Sequence, residues 1–435
     1  MNSQELIEKY KIKGSPELGV IAATFGFFVG FAAVSLYGPA AKNFKDIMGL
    51  SGIMLGFFVA APQLTGSLLR IPFGAWVDKE GGKKPFLILL FLSILGMAGL
   101  ITLLLFYYPD RLTIEMYPLV LLLGFLSGCG VATFSVGVPQ TSYWFPKNKQ
   151  GFALGAYAGI GNTAPGLFTL LLPLALIGLG LTGAYTLWFI FLIIGTVIYA
   201  VIAKDAYYFQ IVKQCGSREE AVKSARELGQ ELIPSGKFID ALKISAGIGR
   251  TWALVFLYFT SFGGFLALTV WFPVYWSLYH DVGIRGAGVL TAVFFSLHAS
   301  FARVYGGVIS DRIGGEMTAI ISFSLVLVGA ILLMFASNFA TALTGAIFIG
   351  GGMGISNAAV FKLVVKYIPE AVGGASGLVG GVGAFGGFVV PPLLGIFVDA
   401  FGREGYAKGF IIYVILAIIS IAISYFLNRI KVPEH

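Results

Sequence analysis

Arg70 and Arg303 each lie inside an otherwise apolar stretch of the chain, and each precedes by eight residues an aspartate, Asp78 or Asp311. If the stretches are helices that end at those aspartates, eight residues correspond to about 12 Å of depth. Half of a bilayer's hydrocarbon core is about 15 Å. Both guanidinium groups would then sit near the middle of a membrane, where an arginine costs at least about 2.5–3.5 kcal/mol. No Asp or Glu falls deep in an apolar stretch to neutralise them. Two equivalent cations without acidic partners point to an anion as their shared ligand, and guanidinium offers planar, paired donors that fit an oxyanion. The plainer alternative is an arginine satisfied by backbone carbonyls and helix ends; the symmetry of the pair counts against it.

Other residues could assist. Asn162 is polar in mid-stretch. Lys362 precedes Glu370 by eight residues; it either adds positive potential to the site or reaches back to the interface. His298 is the single histidine in a stretch and could titrate near neutrality. Five residues from Arg303, it points about 140° away around a helix, which favours a structural role. Gly74 and Asp78, followed by Gly81-Gly82, recur as Gly307 and Asp311, followed by Gly314-Gly315. These loops read as conformational latches, although turn chemistry alone also explains such residues. Gly155, Gly159 and Gly161 form one glycine run and Gly377, Gly381 and Gly383 another. Small residues at this spacing let helices approach and slide. Residues 381–386 spell GxGxxG, but without a preceding strand this is not a dinucleotide signature.

The elements that position these residues follow from composition. Only 11% of the chain is charged, against about 25% in soluble domains, so most of it faces lipid. Twelve apolar stretches are long enough to span a bilayer, roughly 18–40, 52–77, 85–107, 116–139, 150–174, 182–203, 250–278, 287–311, 316–336, 340–364, 371–398 and 408–428. They must be helical, because lipid cannot satisfy open backbone groups. With both termini placed in the cytoplasm, 20 of the 29 Lys and Arg fall inside, six outside, and three (Arg70, Arg303, Lys362) within spans. That asymmetry sets the orientation and explains the net charge of +8 without nucleic acid. Cys129 and Cys215 lie in an apolar stretch and a polar loop, which provides neither a disulfide framework nor a metal site.

The arginine, glycine and aspartate motifs recur at an offset of 233 residues, and the glycine runs at 222. The chain therefore reads as an all-α membrane protein of two pseudo-symmetric six-helix halves, 1–203 and 250–435, joined by a cytoplasmic segment, 204–249. In that segment Ser217-Arg-Glu-Glu220 predicts a capped, solvated surface helix. Parallel repeats of this kind hold substrate near the midplane between the halves.

With these motifs in place the chain resembles the major facilitator superfamily over its full length. Within it, the chain resembles the nitrate/nitrite porter family. The residues that carry this likeness are Leu64-Thr-Gly-Ser-Leu-Leu-Arg70, Ala158-Gly-Ile-Gly-Asn162, Arg303 and Gly380-Gly-Val-Gly-Ala-Phe-Gly386. The resemblance implies nitrate held between Arg70 and Arg303, a hydrogen bond from Tyr258, and phenyl rings on either side of the anion at Phe134 and Phe361. After Asn162 the sequence Thr163-Ala164-Pro165 departs from the family's commoner pattern, and Pro165 is expected to kink that span.

The resulting expectation is a secondary transporter that moves nitrate, nitrite or both across the cell membrane by alternating access. It would act by nitrate/nitrite exchange or by proton-coupled nitrate uptake. It would be a monomer in the bilayer, without catalytic residues, cofactor or metal. A carrier for another small anion, such as a monocarboxylate, oxalate or an organic phosphate, is the rival reading.

Overall fold

The computed structural model describes residues 3–146, 149–234 and 238–429. Lys147, Lys237 and Lys431 of the orientation count lie outside them. Eleven helical stretches are long and apolar enough to cross a membrane. They are α1 (Pro16–Ser35), α2 (Gly52–Glu80), α3 (Lys83–Tyr107), α4 (Ile114–Trp144), a stretch Ala153–Ile202, α7 (Gly249–Leu278), α8 (Ile284–Ile313), α9 (Gly315–Met334), α10 (Phe339–Tyr367), α11 (Val372–Lys408) and α12 (Ile411–Arg429).

The stretch Ala153–Ile202 crosses twice. Ser35 Oγ donates to the carbonyl of Pro165 (2.7 Å), and Tyr185 Oη donates to the carbonyl of Leu36 (2.5 Å). Residues 165 and 185 of an unbroken helix would be about 30 Å apart, yet both reach neighbouring residues of one loop. The chain reverses at Gly180, whose φ of 68° and ψ of −179° are non-helical and are open to glycine at little cost. Residues 153–179 are thus α5 and residues 181–202 are α6, which makes twelve crossings.

The repeat has a structural counterpart. Gly81 and Gly314, 233 residues apart, end α2 and α8 with φ of 88° and 87°. Their N–H groups donate to Val77 O and Ser310 O, which are themselves 233 residues apart. The two segments thus share one capping geometry at the offset of the sequence repeat.

Segment 204–249 contains more than the single helix predicted. Helices Tyr207–Cys215, Arg218–Glu227 and Phe238–Ala246 occupy it. Ser217 does cap Arg218–Glu227, accepting from Glu220 N, but the helix is not solvated all round: Ala221 and Ala225, one turn apart, are fully buried. Glu220 accepts from Tyr10 Oη at 2.5 Å and pairs with Lys9 at 3.0 Å, which fastens the N-terminal helix Ser3–Lys9 to this segment. Phe238–Ala246 packs on α11, where a Cβ on Gly374 would lie 2.2 Å from Ala241 O. The sequence hides this packing because it depends on the close approach of backbone to Gly374, with Ala241 and Leu242 on the other side. We call this side of the molecule the terminal face.

The halves meet at the opposite, far face. Asp399 of α11 accepts from Gly52 N (2.5 Å) and Ile53 N (2.8 Å) at the start of α2. A Cβ on Gly395 would lie 2.1 Å from Gly52 O, and one on Gly288 of α8 2.7 Å from Thr169 O of α5. Toward the terminal face nothing packs on Gly155 and Gly159 of α5 or on Gly307 of α8, which have no neighbouring atom within 4 Å of the Cβ position.

Candidate anion site between the halves

Arg70 begins the second section of α2, just after a local break at Leu69. Its side chain is 1% exposed. Nε donates to Gly66 O (2.9 Å) one turn back, and Nη1 donates to Gly380 O of α11 (3.3 Å). These two bonds fix the plane of the guanidinium, and Nη2 is buried without a partner. The backbone therefore satisfies part of Arg70, as the plainer alternative proposed, but not all of it.

Aromatic rings surround the cation. The Arg70 Cζ lies 5.0 Å from the centre of Phe134 and 5.2 Å from that of Phe262. Arg303 approaches the same Phe262 ring, at 5.9 Å. Each contact is a favourable cation–π geometry, and together they bring the two arginines to one ring. They are close enough to act on each other's charge, and both act on the Tyr258 hydroxyl. Tyr258 is fully buried, and its hydroxyl lies beside Arg303 without making a hydrogen bond of good geometry. None of the ion pairs among the described residues involves either arginine.

Phe361 packs edge-on against Tyr258, ring centres 5.0 Å apart. Phe134 is held by Phe27 (5.2 Å) and Tyr157 (6.0 Å), and Tyr157 Oη donates to Phe134 O at 2.9 Å. The sequence-based reading missed Phe262. It lies one turn beyond Tyr258 and stacks on it at 5.0 Å, so helical spacing from Tyr258 was the available signal. A π-helical turn over Phe259–Gly263 begins just after Tyr258; such turns are frequent at functional sites.

Asn162 is 5% exposed, and both atoms of its side-chain amide lack partners. Its backbone carbonyl accepts from Ser300 Oγ of α8 (3.3 Å). The helix Gln150–Gly161 ends at this residue and resumes at Ala164, with Pro165 in its first turn. The expected kink is thus a break, and it leaves the Asn162 carbonyl available to Ser300.

The glycine runs differ in use. Gly161 packs on Phe27, Gly381 on Ile71 and Gly383 on Tyr258, each leaving under 3 Å for an added Cβ. Gly377 is half-buried, whereas Gly155 and Gly159 are exposed. Asp78 accepts from Tyr143 Oη at 2.5 Å, and Gly74 lies against Ser135. Lys362 donates to Ser310 O (2.6 Å) and Asp311 Oδ1 (2.8 Å). It is tied to the end of α8 at Asp311 and does not join the arginines. His298 lies against Gly350 and Gly351 of α10.

The sequence pattern of the Major Facilitator Superfamily matches residues 23–299 and 279–435. The chain is 31% identical to the probable nitrate/nitrite antiporter NarK1 of Thermus thermophilus, over 85% of this chain and 83% of that protein. It is 28% identical to the probable nitrate/nitrite transporter NarK2 of Mycobacterium tuberculosis, over 92% and 94%. Among solved structures, a partially occluded inward open conformation of the xylose transporter XylE from E. coli superposes with a TM-score of 0.72 at 15% identity, covering 97% of this chain and 98% of that one. At that identity the likeness is one of fold.

Proposed function

We propose that this chain, which belongs to the nitrate/nitrite porter family of the major facilitator superfamily, carries nitrate and nitrite across the membrane by exchanging one for the other at Arg70 and Arg303. The observation that carries the reading is the buried, unpartnered Nη2 of Arg70 beside a ring shared with Arg303 and a Tyr258 hydroxyl that makes no hydrogen bond of good geometry. The two guanidinium groups and the Tyr258 hydroxyl can donate to an oxyanion, and the low-polarity surroundings strengthen each bond. Phe134, Phe262 and Phe361 give the site flat walls suited to a small planar anion. Asn162 adds an uncharged donor at its edge.

The excess of basic residues around segment 204–249 supports a cytoplasmic terminal face. On that orientation the structure is sealed toward the outside by Asp399 and Gly395, and toward the cytoplasm nothing packs on Gly155 and Gly159 of α5 or on Gly307 of α8. The moving units are the halves 1–203 and 250–435. An anion between Arg70 and Arg303 screens their repulsion and lets the terminal face close, bringing the smooth surfaces at Gly155, Gly159 and Gly307 into contact. The Asp78 and Asp311 loops hold or release that closure. With two cations and no deep acid, an unloaded site resists crossing, which supports exchange over proton-coupled uptake.

A competition panel tests the substrate. Binding of nitrate to the purified protein should be displaced by nitrite, and not by acetate, oxalate or glycerol phosphate at equal concentration. Displacement by any of the last three at a similar affinity overturns the assignment.

A further inference from the structure

Gln63 lies seven residues before Arg70 on α2. Seven residues are about two turns and about 10 Å, which returns the side chain to nearly the same face. Gln63 is fully buried, and neither Oε1 nor Nε2 has a hydrogen-bond partner. Among the described residues only Asn162 shares that condition of a fully orphaned side-chain amide. Buried polar groups are nearly always paired, so an orphaned one asks for a ligand or a role.

Its position gives that role a direction. A Cβ on Gly387 of α11 would lie 3.4 Å from Gln63 Cβ and Cγ and 2.8 Å from Leu266 Cβ of α7. Gln63 thus faces the seam where α2, α7 and α11 meet. Gly387 is seven residues beyond Gly380, the residue that accepts from Arg70. On the far side of Gln63 the seam is shut by Gly56 against Pro391 and Gly52 against Gly395. The carboxamide therefore sits between the arginine pair and the far-face closure, in the half of the pathway that is sealed in this state.

We infer that Gln63 forms a second, uncharged anion-contacting step on the far side of the arginine pair. When the far face opens, the Gln63 Nε2 group donates to the oxyanion as it enters or leaves, while Oε1 accepts from the water that accompanies it. Being neutral, it can hold the anion briefly without trapping it. In the present state the amide is stranded because the seam is closed. This inference rests on the transport reading above and adds a residue to it.

The test uses full-length protein reconstituted in liposomes of known orientation, with nitrate supplied to either face. Gln63→Leu keeps the side chain's volume and removes its donors. We expect the half-saturating nitrate concentration at the far face to rise about tenfold or more, as for loss of a hydrogen bond to a charged group, with the value at the terminal face changed less than twofold. Gln63→Glu, which keeps the shape and adds negative charge, should raise the far-face value further. Unchanged far-face saturation in Gln63→Leu, or an equal change at both faces, overturns the inference. Reading each variant's thermal stability beside the kinetics separates a folding defect, since loss of an idle buried amide would stabilise the protein and leave both saturation values alone. If wild-type protein carries no nitrate, the transport reading fails instead.

Discussion

Replacing Arg70 by lysine keeps the charge and changes the geometry. The guanidinium has five donors, of which Nε serves Gly66 O and Nη1 serves Gly380 O. The remaining donors, on Nη1 and the unpartnered Nη2, lie in the plane those two bonds fix. A lysine ammonium has three donors on one atom and cannot satisfy both carbonyls and present a fork to an anion. At least one charge-assisted hydrogen bond to the anion is lost, worth about 1.5–3 kcal/mol, which corresponds to about a 10- to 150-fold weaker affinity. Titration calorimetry of nitrate against Arg70→Lys should show that weakening, while the unliganded protein melts within a few degrees of wild type. Nitrate affinity within threefold of wild type would refute the argument that the planar fork, rather than charge alone, holds the substrate.

Asp399→Asn should loosen the far-face seal, because the carboxylate accepts from two amides at a helix start; the loss of charge and of one bond is about 1–2 kcal/mol. Labelling of a cysteine placed at Phe57, by an impermeant maleimide from the far face, should then be about 5- to 30-fold faster. Gly81→Ala should cost more thermal stability than Gly314→Ala. Both put alanine into an extended positive-φ backbone open essentially to glycine alone, at about 1–3 kcal/mol, but only the first also sets a Cβ 2.5 Å from the Asp205 carboxylate. Burial, then Arg403, lowers the pKa of His280 in the far-face loop. The folded protein binds that proton less readily than the unfolded chain, so the contribution is full above the ordinary imidazole pKa and is lost as pH falls through the lower folded value. Melting temperature should drop from pH 7.5 to 5.5 more steeply in wild type than in His280→Gln.

The fold was legible because lipid permits few solutions. Twelve apolar stretches, the arginine pair and the recurring Gly81 and Gly314 motifs are all visible as residue types at fixed spacing. Arg70 stood out because a charge is rare in such a chain. Phe262 did not, since one phenylalanine among 39 carries no signal until Tyr258 is placed and the helix is turned. Lys362 and Asp311 were each noticed but not joined, because the bond between them crosses from α8 to α10. The reversal at Gly180 and the docking of Phe238–Ala246 on Gly374 depend on glycines whose neighbours only the folded chain defines.

The most direct test of the central claim is nitrate uptake into nitrite-loaded liposomes with equal pH on both sides. Wild-type protein should take up labelled nitrate, faster with internal nitrite than without it, and Arg70→Lys and Arg303→Lys should each abolish that stimulation. Uptake that needs a pH gradient and ignores internal nitrite, or persists in both lysine variants, would contradict exchange at an arginine pair.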